Sequence, residues 1–342
     1  MRPADLLVRP AESPEAWRLA KMSAARGSPP AAGDRLICVT VLPSGEQFEL
    51  ISGTQRVVIV EVGAGVREYA VAGREVLQPY GIEQMCDGAH GAPLIPWPNR
   101  LADGQYRFDG VDHQLALSEA PKHNAIHGLL RWRSWQAFER EANRIVMSTR
   151  LHPLPGYPFA LDVSVAYELS EDGLEVATTA VNVGERTCPY GAGQHPYLSP
   201  GDGSIDDCFL ELPARTRVLT DDERQLPSGR EPVRGTSFDF SSPRRLGDTR
   251  IDSAFTDLTR DAAGQAVTRL SSPDGRHVEL WVDEHHPFIE LYTGDTLAPS
   301  RQRRGLAVEP MTCAPNAFQS ADGLVRLDPG QSLTTRWGVR LV

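Results

Sequence analysis

A chain of 342 residues, 40% hydrophobic and 23% charged, holds enough apolar material for one large core or two small ones, which excludes disorder as its overall state. Its 35 Lys and Arg against 45 Asp and Glu leave a net charge of -10, so the basic footprint of a nucleic-acid or anionic-membrane partner is missing and a small or neutral ligand is expected. No run approaches the roughly eighteen apolar residues of a membrane span, and Arg2, Asp5 and Arg9 stand where a signal peptide would be apolar, so a cytoplasmic protein is expected.

Residues 1–33 differ in texture from the rest. Ser13 and Pro14 can cap a short helix through Trp17, Leu19 and Met22, and GSPPAAGD then reads as linker, so 1–33 is expected to be a flexible extension, with Met1 and Met22 both possible starts. From Arg35 the chain turns to strands: LICVTVL, EQFELI and RVVIVEV, each short, β-branched and closed by Gly, Ser-Gly or Pro. GAG at Gly63 to Gly65 lacks the third glycine of a dinucleotide fingerprint, since Glu68 stands there, and reads as a strand turn. EVLQPY, QYRFDG, RIVMSTRL, ALDVSVAYEL, LEVATTAVNV, CFLELP, HVELWVD, FIELYTG and LTTRWGVRLV continue at period two. Gly 30 and Pro 27, a sixth of the chain together, suit this many turns. Some fifteen strands exceed one open sheet, so residues 34–342 are predicted to form a single all-β domain of two large antiparallel sheets packed face to face.

Five cysteines, Cys38, Cys86, Cys188, Cys208 and Cys313, contain no CxxC pair, which fits a reducing compartment better than a disulfide framework or zinc knuckle. His123 and His127 have the spacing of a helical zinc pair, but HNAIHG lacks the HExxH glutamate and ends in glycine, so no metal site is expected. His285 and His286, next to a proline, read as surface turn residues.

Three segments set ionisable residues among glycines, prolines and aromatics: GAPLIPWPNR (91–100), CPYGAGQHPYLSPG (188–201) and GLAVEPMTCAPNAF (305–318). Glu309 ends an apolar LAV run, where a partly buried carboxyl has a raised pKa and can act as acid or base near neutrality. His195 lies between Gln194 and Pro196, a rigid setting for its imidazole. Alone, each such residue is more often structural, as a buried histidine satisfied by backbone or a glutamate paired with arginine.

PWPNR, NAIHG about 25 residues later, then GQHPYL, DSAFTDL and VEPMTCAPNAF follow one another in an order that resembles the aldose 1-epimerase (galactose mutarotase) family, in a divergent bacterial-type branch, over roughly residues 36–341. The resemblance implies a galactose mutarotase-like supersandwich and an isomerase that interconverts the α and β anomers of a hexose with no cofactor. It also implies that Glu309 is the base and His195 the acid, with Arg100, His127 and Asp252 holding sugar hydroxyls. Trp97 and Tyr197 can offer the ring an apolar face, though a core role explains them equally well. The partner implied is a small-molecule sugar, bound by a monomer or homodimer.

Two departures stand out. IELYTGD has Glu290 where many members of the family carry a glutamine beside the sugar, which predicts a more acidic site or a shifted strand register. SRQRRG, with Arg301, Arg303 and Arg304, can either receive a phosphate or sulfonate on the sugar or form a solvated turn. The alternatives are therefore a mutarotase for an anionic sugar and a non-catalytic sugar-binding protein on the same fold. A glycoside hydrolase needs two carboxyls flanking the bond, and in the sequence only Glu309 has an evident acid/base setting.

Overall fold

The structure is a computed structural model that describes residues 41–199 and 201–342. The extension at 1–33, the possible starts Met1 and Met22, Cys38 and most of the predicted strand LICVTVL lie outside the described residues.

Alternation in the sequence becomes alternation in burial. Leu161–Ser170 alternates buried with more exposed residues along its length and pairs with Arg144–Leu151 on one side and Gly173–Asn182 on the other. These strands belong to a nine-stranded sheet that continues through Ser332–Leu341, His277–Val282 and Ala266–Ser271. A twelve-stranded sheet lies against it. Its path runs from Gln47–Ser52, Gln55–Val60, Val66–Val71 and Arg74–Leu77 to Tyr197–Leu198, Leu306–Met311, Phe288–Tyr292, Asp252–Thr256, Thr216–Thr220 and Pro227–Pro232. Every pairing between named strands is antiparallel in both sheets, as the sandwich reading predicts. The turn at Gly63 joins Gln55–Val60 to Val66–Val71, and no helix follows it.

The inner faces share one core. Leu50, Val57, Ile59 and Tyr69 of the larger sheet pack with Ile145, Met147, Val163, Val165, Val176 and Trp337 of the smaller. A polar bridge crosses this core: Trp337 Nε1 donates to Gln194 Oε1 at 3.2 Å, Gln194 Nε2 donates to Tyr167 Oη at 3.2 Å, and Tyr167 Oη donates to the Ala64 carbonyl. Buried polar groups are tolerated when satisfied in this way, and the bridge fixes the backbone one residue before His195.

Leu306–Met311 is buried at all six positions, unlike the alternating strands. One face holds the core; loops and a short ribbon cover the other. In that ribbon Arg100–Ala102 pairs with Asn124–Ile126. The described cysteines, Cys86, Cys188, Cys208 and Cys313, are free and buried. His286 departs from the surface-turn expectation: it is buried, with Nδ1 2.7 Å from Asp283 Oδ1, while His285 alone is exposed.

Candidate active site

Period two decides which side chains reach the outer face of the larger sheet. Val308 belongs to the core, so Glu309 points away from it; Ile289 and Leu291 belong to the core, so Glu290 points the same way as Glu309. The two glutamates are direct cross-strand partners in the antiparallel pair. The pairing of the two strands runs without a break from Phe288 opposite Met311 to Tyr292 opposite Ala307. With Glu290 buried to 2% exposure, the site has a second carboxyl in an acid/base setting, which corrects the reading that only Glu309 has one.

Gln194 points into the sandwich, and two residues on from it Pro196 and then Tyr197 return the chain to the sheet, leaving His195 over the outer face. His195 Nε2 lies 3.1 Å from Glu309 Oε1. The imidazole is held by rings: Tyr197 stacks on it at 4.9 Å, and His127 meets it edge-on at 5.5 Å. Tyr197 is itself stacked on His90 at 4.5 Å, so its two faces are taken by imidazoles and it braces His195 instead of offering a face to a sugar. Trp97 packs in the main core against Phe318 at 5.4 Å, which is the packing of a core residue.

Arg100 reaches the same face from the ribbon. Its Nε donates to Glu119 Oε2 at 3.0 Å, and its Nη2 lies 3.8 Å from Asp252 Oδ2. Gln225 Nε2 donates to the same Asp252 oxygen at 2.5 Å, and Lys122 in turn donates to Gln225 Oε1. His127 follows Asn124–Ile126 in a left-handed turn at φ 60, not on a helix, which is why its spacing from His123 makes no zinc pair. Among the described residues no group of three His, Cys, Asp or Glu side chains is arranged to hold a metal ion.

Electrostatics follow burial. Desolvation lowers the His195 imidazole to about 3 and takes His127 well below its ordinary value, with the neighbouring His195 adding to the effect on His127. Glu309 is raised well above the usual carboxyl range by burial and by Asp252, with Arg100 opposing. Nδ1 of His127, Nδ1 of His195 and Oε2 of both Glu290 and Glu309 are buried without a hydrogen-bond partner among the described residues. Each such atom is costly unless a ligand satisfies it, and their convergence marks a site for a ligand rich in hydroxyls.

The arginine loop divides. Arg303 is tied to Asp206 and Asp295, and Arg304 is exposed. Arg301 contacts Asp87 and His90, so it reaches the site wall one ring behind Tyr197. Arg131, which no sequence signal singled out, is partly buried, has no ion pair or hydrogen bond from its guanidinium among the described residues, and acts through its charge on His127 and His195. Glu119, Gln225 and His90 were also missed, since each lies outside the residues with a motif of their own.

Comparison with known proteins bears on this site. The family model described as Aldose 1-epimerase matches residues 46–340. The chain is similar to Uncharacterized protein YihR of Escherichia coli K12, 37% identical over 295 residues that cover 84% of this chain and 91% of that one. It is also similar to galactose mutarotase of Sus scrofa, 30% identical over 298 residues, 79% of this chain and 84% of that one. Among solved structures, an aldose epimerase homologue from C. elegans shares the fold at a TM-score of 0.77 and 18% identity, covering 87% of this chain and 98% of that one.

Proposed function

The chain belongs to the aldose 1-epimerase family and is an isomerase, and from that premise we propose that it interconverts the α and β anomers of a hexose, with Glu309 and His195 moving the protons. The observation that carries this reading is their 3.1 Å contact in a buried site. In the forward step the Glu309 carboxylate takes the O1 proton as the C1–O5 bond breaks, C1=O1 forms, and O5 receives the proton of the His195 imidazolium. Rotation about C1–C2 and the reverse transfers close the ring in the other configuration.

Burial helps this step in a definite direction. The closed ring coexists with a charged pair, Glu309 anionic and His195 cationic, whereas the open aldehyde coexists with a neutral pair. A site that disfavours both charges therefore favours the ring-opened state relative to the closed one. In the free protein the single proton of the pair rests on Glu309 and returns to His195 along their contact when a sugar engages the site.

Arg100, His127 and Asp252 are assigned to the sugar hydroxyls. Asp252→Asn and Arg100→Ala are expected to raise KM more than they lower kcat, because contacts made equally in ground and transition states govern binding. Anomer exchange followed by polarimetry or NMR across a panel of hexoses tests both readings; a protein that binds sugar and leaves every exchange rate at the solvent value is a binding module and not a mutarotase.

Arg131 favours a second reading, a substrate with an anionic substituent. A partly buried guanidinium that lies over the Trp132 ring at 5.2 Å, has no ion pair or hydrogen bond among the described residues, and acts electrostatically on His127 and His195 can receive a phosphate or sulfonate. Arg131→Gln is then expected to raise KM for a phosphorylated or sulfonated hexose by roughly tenfold or more and to leave neutral hexoses unchanged. An equal effect on both classes sinks this reading.

A further inference from the structure

We propose that Gln225 is a positioning residue for Asp252, delivered to it by a hairpin tip that Arg224 latches onto the ribbon. The inference deepens the mutarotase reading above and rests on it for the role of Asp252 toward the sugar.

Asp252 lacks other support. It opens the strand Asp252–Thr256, and its side chain is 25% exposed. Arg100 Nη2, at 3.8 Å, is too far to hydrogen-bond it, and that guanidinium is committed to Glu119 through Nε at 3.0 Å and Nη2 at 3.2 Å. Among the described residues Gln225 Nε2, at 2.5 Å, is the one nitrogen donor within hydrogen-bond distance of the Asp252 carboxyl. Without that donor the side chain keeps its rotamer freedom, and ordering it on binding weakens the hold on a sugar. The direction of the Gln225 amide is set by its neighbours. Lys122 can only donate, so the amide oxygen faces it, and the NH2 is thereby turned toward Asp252.

The tip is built to hold this amide still. Gln225 lies between Thr216–Thr220 and Pro227–Pro232 at φ 54, a conformation that side chains of its kind enter rarely. Asp221 fixes the turn, its carboxyl accepting from Glu223 N at 3.1 Å, Arg224 N at 2.6 Å and Leu226 N at 2.9 Å. Arg224 then crosses to the ribbon, where Nε donates to the Lys122 carbonyl at 3.0 Å and Nη2 to the His123 carbonyl at 2.7 Å. Asn124 closes the latch: its Nδ2 donates to the Arg224 carbonyl at 3.0 Å and to Glu119 Oε2 at 3.0 Å. Glu119 is the residue that holds Arg100, so one network orients both Arg100 and Asp252. A solvated turn needs none of these bonds. A backbone kept in a sparsely populated conformation and aimed at a carboxyl of the site is what a positioning device requires.

Gln225→Leu keeps the size and loses the donor, whereas Gln225→Glu keeps a contact to Lys122 and offers Asp252 only an acceptor. The measurements are anomer exchange and titration calorimetry with D-glucose, D-galactose and glucose 6-phosphate. Both variants are expected to raise KM and Kd by roughly tenfold while kcat stays within about threefold. Glu223→Ala, exposed on the same tip, should change neither. In an Asp252→Ala background Gln225→Leu is expected to cost no further kcat/KM, because its effect runs through Asp252. Unchanged KM and Kd in Gln225→Leu and Gln225→Glu, or a tenfold loss that persists without Asp252, overturns the proposal. If Gln225→Leu does not fold, Gln225→Glu decides. If the unaltered protein binds sugar and exchanges no anomers, the mutarotase reading fails by itself and the Kd values alone decide the role of Gln225; if it binds none of the three sugars, both readings fall.

Discussion

Glu309→Gln and His195→Asn are each expected to slow anomer exchange by about a hundredfold or more, the scale at which a positioned acid or base contributes, while sugar binding persists. The substitutions keep size and much of the hydrogen bonding and remove the ability to cycle a proton between O1 and O5. Because the two side chains share one proton across 3.1 Å, their effects should not add: the double variant is expected to be little slower than either single one. The pH dependence follows from the directions of the two shifts. His195 lowered to about 3 means that the pair gains a second proton, and loses its base, only far below neutrality. Glu309 raised well above 4.5 means that the pair loses its proton, and with it the acid, as pH rises through that higher value. The rate is therefore expected to be level through mildly acidic pH and to fall on the alkaline side. A hundredfold loss in binding instead of turnover, or additive effects in the double variant, would show that the two groups hold the sugar and do not move its protons.

Much of this arrangement is legible in the sequence, for physical reasons that differ from element to element. RIVMSTRL and the strands after it declare themselves because one face is buried and the other wetted, which writes period two into the sequence. Leu306–Met311 carries no such pattern, being buried on both faces, and was recognisable only through the motif around Glu309. Pro93–Leu94, Gly193–Gln194 and Tyr197–Leu198 are two-residue strands, too short for any periodicity to register. At the site, motif residues were found and their supports were not. Tyr197 looked like a sugar platform because an aromatic beside a catalytic histidine invites that role; that His90, more than a hundred residues earlier, covers its other face is a tertiary fact. Glu290 looked like a departure of uncertain register, and only the strand pairing set it opposite Glu309.

Gly128→Ala is expected to cost about 3 kcal/mol or more of stability and, in whatever fraction folds, to displace His127. The residue has φ 68, and a Cβ there would lie 2.0 Å from the Ile95 carbonyl oxygen and 2.3 Å from its carbon. Those atoms are backbone, and the same carbonyl accepts from Leu129 N at 2.7 Å, so the neighbour cannot swing aside as a side chain would. The strain falls on the turn that sets His127 against His195, whose rings meet at 5.5 Å. Gly110→Ala is the control, because Gly110 is also left-handed, at φ 81, but a Cβ there meets nothing within 4 Å. Its cost should be about 1 kcal/mol, the conformational penalty alone, with exchange activity unchanged. Urea denaturation of both variants beside anomer exchange separates the two contributions. Equal stability losses at the two glycines would mean that the left-handed backbone, and not the close approach of Ile95, is what excludes a side chain next to His127.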